Sequence, residues 1–180
     1  MKKHLIPLAL FAAAAPLFAE SVPAEEFSRT PAETTFAAAA DKENWDELFA
    51  SGLFDADEKP VSLADVKKKK FVGIYCSASW CGPCKQFTPE LIKFYEKNKG
   101  KIAIVLIGAD RTQPEVFKYM KSHEMPFFTV DRDSKGASAY KRKQNINGIP
   151  DFRVFKKNGE RLPVNGRDLG AVEKAIGGKR

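Results

Sequence analysis

Cysteine is scarce in this 180-residue chain: Cys76, Cys81 and Cys84, and none earlier. So few exclude a small scaffold stapled by several disulfides, and an odd number allows at most one internal bridge. The lack of any cysteine before Cys76 also excludes lipid attachment at a cysteine near the amino terminus. No apolar stretch reaches the ~20 residues that cross a bilayer, and no internal repeat is present. Metal-ligand pairs are missing too. A structural zinc site needs about four ligands, and beyond Cys81 and Cys84 only Cys76 and His123 are on hand, without paired spacing. No metal and no cofactor are expected. Basic residues are not gathered on one element with aromatic partners, as a nucleic-acid surface requires. The one tight run, Lys67 to Lys70, precedes an apolar segment and reads as a solvated turn that discourages edge pairing.

What is present begins with a charged start, Lys2 and Lys3, followed by an apolar stretch from Leu5 to Ala19 broken only by two prolines. This pattern predicts a signal peptide over residues 1–19, cut before Glu20; the alternative is a retained membrane anchor. The formal net charge is +7, and Lys2 and Lys3 carry two of those charges, leaving a mildly basic +5. The expectation is an exported protein, periplasmic or otherwise extracytoplasmic, soluble after cleavage.

Residues 20–40 mix Pro, Ala, Thr and Glu without a period, and read as a flexible leader. Over 41–52, Trp45, Leu48 and Phe49 fall at helical spacing, which predicts a short amphipathic helix. The domain proper is expected over 53–180. A turn is expected at 57–60, followed by a brief extended piece and a helical turn. Residues 71–76 and 102–107 are unbroken apolar runs, the mark of strands buried on both faces. Between them, Phe87, Leu91, Phe94 and Tyr95 mark one face of a helix over 82–98. Residues 114–123 and 134–144 read as helices, 127–130 as a short strand. Asn158-Gly159 predicts a hairpin joining strands at 151–155 and 161–164. Leu169, Val172 and Ile176 mark a closing helix. Together these give an α/β fold with a central mixed β-sheet flanked by helices and an N-terminal extension.

The chemistry lies in Ser79-Trp80-Cys81-Gly82-Pro83-Cys84-Lys85, where the first buried strand hands over to the long helix. Cys81 falls at the helix N-terminus, where unpaired N–H groups and the macrodipole favour a thiolate, the nucleophile of disulfide exchange. Cys84 follows one turn later, in reach of a mixed disulfide on Cys81. Gly82 and Pro83 start the helix tightly and leave the Cys81 sulfur open. The alternatives are a zinc knuckle or a static bridge, and a bridge closing so small a loop would constrain the unfolded chain little.

Trp80-Cys81-Gly82-Pro83-Cys84-Lys85 resembles the active-site motif of the thioredoxin superfamily. Ser77-Ala78-Ser79-Trp80-Cys81 with Phe87-Thr88-Pro89-Glu90-Leu91 resembles its tryparedoxin and nucleoredoxin branch, which usually has proline where Gly82 stands. The resemblance covers residues 53–176 and implies a thioredoxin-like fold with a redox-active Cys81–Cys84 disulfide. It further implies a cis-proline at Pro150 facing the cysteines, Ile149 offering its backbone to an extended substrate, Trp80 as a lid and recognition surface, and Pro89 as a helix kink. Cys76, alternating with Ile74 and Val72, is expected to face the core as an inert thiol; His123 carries no assigned function.

Two positions depart from the thioredoxin pattern. Tyr75 stands where thioredoxins bury a carboxylate, and a phenol of pKa ~10 is a poor base at neutral pH. Asp151 follows Pro150, where a carboxylate either disfavours a nearby thiolate or points to solvent. The expected function is an extracytoplasmic thiol–disulfide oxidoreductase, foremost a protein disulfide reductase. It would cycle through a mixed disulfide on Cys81, be recharged by a membrane electron donor, and work as a monomer on disulfide-containing proteins. The same site could instead serve a thiol oxidase or disulfide isomerase, and a non-catalytic binding module is a further alternative.

Overall fold

Two apolar segments that alternate nothing with polar residues must have both faces covered, and they form the centre of the sheet. In the computed structural model, which describes residues 42–177, β3 (Phe71–Ser77) and β4 (Ile102–Gly108) lie parallel, with Phe71 opposite Ile102 and Ser77 opposite Gly108. The expected signal peptide at 1–19 and leader at 20–40 fall outside the described residues. A parallel pair needs a crossover, here the 17-residue α3 (Gly82–Asn98), which starts at the motif and runs on through Pro89.

The six-stranded sheet has the order β2-β1-β5-β4-β3-β6. β5 (Phe128–Val130) adds parallel to β4, and β6 (Asp151–Lys156) antiparallel to β3, placing Asp151 opposite Cys76. The other edge is a hairpin of β1 (Leu53–Phe54) and β2 (Pro60–Val61), with β1 antiparallel to β5. The fold is thioredoxin-like: a mixed sheet flanked by helices.

The alternation of side chains along β3 divides the core in two. Tyr75 joins Ile104, Leu106 and Phe152 under α3, α4 (Gln113–Ser122) and α6 (Leu169–Ala175). Val72, Ile74 and Cys76 face the opposite layer, built from α1 (Trp45–Leu48), α2 (Leu63–Lys67) and α5 (Lys135–Lys143). Each large apolar side chain buried this way contributes about 1.5–3 kcal/mol.

Residues 42–52 are packed into this second layer. Trp45 stacks on Phe49, meets Phe155 edge-on, and donates from its indole to the Lys157 carbonyl at 2.8 Å. The approach of α1 to α5 is so close that a Cβ at Gly136 would strike the carbonyls of Glu47 and Leu48. The helix is shorter than its apolar spacing predicts: Asn44 caps it, and it ends by Phe49 ahead of Gly52 at φ +92.

The hairpin expected at 151–164 forms only in part. Gly159 takes φ +86 after a turn closed from its N–H to the Lys156 carbonyl at 2.9 Å, and β6 is complete. The returning arm makes one isolated bridge, Phe155 to Arg161, formed by the Lys156 N–H on the Glu160 carbonyl and the Leu162 N–H on the Val154 carbonyl, both at 2.8 Å. The next bond of this register would run from the Val164 N–H to the Phe152 carbonyl, but the Val164 N–H turns back onto the Leu162 carbonyl at 2.9 Å. No strand forms at 161–164.

Candidate functional site

At the carboxyl end of β3 the chain turns sharply through Ala78, Ser79 and Trp80, closing from the Cys81 N–H to the Ala78 carbonyl at 3.2 Å. Cys81 is then the N-cap of α3. Its Sγ accepts from the Cys84 N–H at 3.2 Å, the position a serine or aspartate oxygen fills in an ordinary cap. Pro83 sits in the first turn, where its missing N–H costs nothing. Cys81 and Cys84 are joined by a disulfide, with Cα atoms 5.2 Å apart.

The two sulfurs are not equivalent. Cys84 is 0% exposed and Cys81 6%, so both are buried and, of the two, only Cys81 keeps contact with solvent. It does so beside Trp80, 65% exposed and the one large apolar side chain laid open among the described residues. The Trp80 indole donates to the Ala109 carbonyl at 3.3 Å. From the other side comes Ile149, its carbonyl oxygen 3.8 Å from Cys81 Sγ and its side chain packed with Ala78, Cys81, Cys84 and Ala109. The Ile149–Pro150 peptide is cis, and Arg167 Nε donates to the Pro150 carbonyl at 3.1 Å. The structure thus brings Trp80, Cys81, Gly82, Pro83, Cys84, Ile149 and Pro150 together.

Beneath the disulfide lies a hydroxyl network in place of a carboxylate. Tyr75 Oη is 2.9 Å from Thr88 Oγ1 and 3.0 Å from Ser77 Oγ, and Tyr119 Oη lies 3.0 Å from both Ser77 and Thr88. Thr88 also donates to the Cys84 carbonyl at 2.8 Å, tying the network to the helix turn that carries the disulfide. Burial pushes the Tyr75 phenol up to about 12, against the partial opposition of its bonds to Ser77 and Thr88. It is a neutral spacer at physiological pH, not a base.

Asp151 is paired, not free: its two oxygens take Arg153 Nε and Nη2 at 2.9 and 3.2 Å, and Arg153 is braced on the Gln144 carbonyl. Its charge is compensated on the α5 side of the sheet, opposite Cys76. Burial first, and Asp151 second, push the Cys76 thiol up to about 12. His123 closes α4, its ring edge-on to Tyr119 at 4.7 Å, and it bonds to Ser122 and the Tyr119 carbonyl, not to either cysteine.

The site also contains Ala109, Asp110 and Tyr119, which the motifs do not include, and it gives Ser79 and Thr88 roles beyond their places in the motifs. Asp110 lies two residues past the end of β4, buried at 1% exposure, and accepts from both the N–H and the hydroxyl of Ser79 at 3.0 and 2.5 Å. One signal could have found it: it lies just past the carboxyl end of an apolar parallel strand, where α/β sheets place their sites.

The comparisons with known proteins agree with this geometry. A thioredoxin-like family model matches residues 69–161. Nucleoredoxin from Xenopus laevis is 38% identical over 101 residues, covering 54% of this chain and 24% of that protein. Probable nucleoredoxin 1 from Arabidopsis thaliana is 30% identical over 113 residues, 61% of this chain and 19% of its own length. The chain therefore spans a quarter or less of these curated relatives. Among solved structures, thioredoxin from Wuchereria bancrofti superposes with a TM-score of 0.60 at 32% identity, covering 72% of this chain and 87% of that one. Tryparedoxin from Trypanosoma brucei gives a TM-score of 0.60 at 28% identity, with 72% and 89% covered. The chain belongs to the thioredoxin-like family, in its tryparedoxin- and nucleoredoxin-like branch, and is a thioredoxin-like redox protein.

Proposed function

We propose that this protein is an extracytoplasmic thiol–disulfide oxidoreductase that reduces disulfides in other proteins through Cys81 and Cys84. The observation that carries the reading is the inequality of the two sulfurs: Cys81 at a helix N-terminus with a narrow opening to solvent, Cys84 wholly buried behind it. In the reduced protein, the Cys81 thiolate attacks one sulfur of a substrate disulfide. A Cys81–substrate disulfide forms, the substrate S–S bond breaks, and one substrate thiolate leaves. Cys84 then loses its proton and attacks Cys81 Sγ, forming the internal disulfide and expelling the second substrate thiolate. Two electrons pass from the protein dithiol to the substrate, and an external dithiol must return them.

The Cys84 N–H and the end of α3 favour negative charge on Cys81. Trp80 and the Ile149 backbone flank the sulfur as surfaces for an extended segment, Trp80 by apolar contact and Ile149 by strand-like pairing. Burial holds the Tyr75 phenol protonated near neutrality, so it does not take the Cys84 proton. The site requires no cofactor, and the working unit is the monomer.

Location and donor rest on the sequence alone. Lys2 and Lys3 ahead of the apolar Leu5 to Ala19 support export and cleavage, and a reductase outside the cytoplasm requires a donor of electrons at the membrane. The direction of traffic is tested by equilibrating the mature protein with glutathione buffers, with Cys84→Ser as control. A potential near or below about −230 mV supports the reductase. A value near the oxidising end, about −120 mV, would contradict it and favour an oxidase or isomerase.

A further inference from the structure

We propose that Asp110 is a positioning residue, whose buried carboxylate clamps the Ser79–Trp80 arch so that Cys81 stays seated on the N-terminus of α3. The inference rests on the reading of Cys81 as the nucleophile and concerns what holds its sulfur in place.

Burying a carboxylate is costly unless its oxygens are bonded. At Asp110 both donors of Ser79 converge on Oδ1, while Oδ2 is buried with no hydrogen-bond partner among the described residues. As a device for stability alone this is a poor arrangement, since a buried polar oxygen left unpaired subtracts from it. As a clamp it is well placed. Ser79 is the second residue of the turn that closes from Cys81 to Ala78, and the next residue, Trp80, is held by the neighbouring Ala109 carbonyl. The segment after β4 therefore grips two consecutive residues of the arch, one by its side-chain carboxylate and one by its backbone. Released from the first grip, the arch can pivot, and the Cys81 sulfur moves off the Cys84 N–H and the helix end, the two features that favour its thiolate.

The elements that form the site carry the charged groups Asp110 after β4, Lys85 on α3 and Arg167, which bonds the Pro150 carbonyl, while Asp151 on β6 is paired with Arg153. The clamp and the charge of Asp110 are separable. An asparagine keeps an oxygen at Oδ1 and removes the charge; an alanine removes both.

The test measures the rate of Cys81 alkylation by iodoacetamide against pH in the full chain, with Cys84→Ser as background so that one reactive thiol is followed. Asp110→Ala should raise the midpoint by about one pH unit, a tenfold fall in thiolate fraction below the midpoint. Asp110→Asn should restore it to near the parent value. An unmoved midpoint in Asp110→Ala, or an equal shift in Asp110→Asn, would overturn the clamp. Should Asp110→Ala fail to fold by near-ultraviolet circular dichroism, Ser79→Ala replaces it. That variant loses the hydroxyl donor alone and should raise the midpoint in the same direction by less; no rise would overturn the proposal. Alkylation needs no disulfide substrate. A parent protein that reduces nothing would refute the proposed function and leave this readout intact.

Discussion

Cys76 and Cys81 are five residues apart and in different chemical situations. Cys76 lies inside β3, sealed between Ile74, Tyr140 and the helices of the second layer, and burial holds its thiol protonated to about 12. Cys81 lies just beyond the end of the same strand, where a turn closed onto Ala78 delivers its sulfur to a backbone N–H and a helix N-terminus. The difference is one of backbone, not of residue type. A thiol in the middle of a parallel strand inherits the dryness of the sheet; a thiol past its carboxyl edge inherits the unpaired donors of the next helix.

The largest effect that sharpens this contrast is expected from Cys81→Ser, which should reduce protein-disulfide turnover to the uncatalysed rate in an insulin-reduction assay. Retained turnover would place the chemistry elsewhere. Next in size is Tyr75→Phe. Removing the phenol leaves Ser77 and Thr88 short of a partner and should cost about 1–3 kcal/mol in a denaturant titration. Because Tyr75 does not titrate below about 12, the pH profile of turnover between pH 6 and 9 should keep its shape; a lost inflection in that range would make the phenol a proton carrier.

Alkaline stability gives a third, smaller effect. The Cys76 thiol is raised from 9.0 to about 12 in the folded protein, and Tyr75 from 10.0 to about 12. Folding therefore favours their protonated forms, a contribution that is whole below pH 9 and is lost as pH rises towards 12. Thermal melts should show the midpoint falling over that window, less steeply in Cys76→Ala. An identical fall in both proteins would remove Cys76 from the account. The smallest effect is on turnover in Cys76→Ala at neutral pH, expected within about twofold of the parent despite a stability loss of about 1 kcal/mol. A large loss would end the distinction between the two thiols.

What could be read from the sequence follows the same division. The interior was legible because burial writes itself as pattern. Residues 71–76 and 102–107 are unbroken apolar runs, and the long helix is bounded by Gly82 and Asn98 as its spacing predicts. Elements that depend on distant partners were not. β1 has two residues and no period, and exists because β5 offers it an edge. The arm at 161–164 looks like a strand, but its Val164 N–H bonds the Leu162 carbonyl instead of β6. At the site, Cys81, Cys84, Trp80 and Pro150 belong to a local motif or a landmark and could be found. The Ser79–Asp110 bond joins residues 31 apart, and Tyr119 reaches Thr88 across the same distance. Tyr75 could be recognised as a missing carboxylate, but not as one corner of a four-hydroxyl network.

The central claim is that Cys81 attacks and Cys84 resolves. It is tested most directly by incubating the reduced single variants Cys84→Ser and Cys81→Ser with a disulfide-containing protein and separating the products under non-reducing conditions. The account predicts that Cys84→Ser accumulates a mixed disulfide located at Cys81 by peptide mapping, while Cys81→Ser accumulates none. Trapping through Cys84 in Cys81→Ser, or the absence of any adduct in Cys84→Ser, would contradict it.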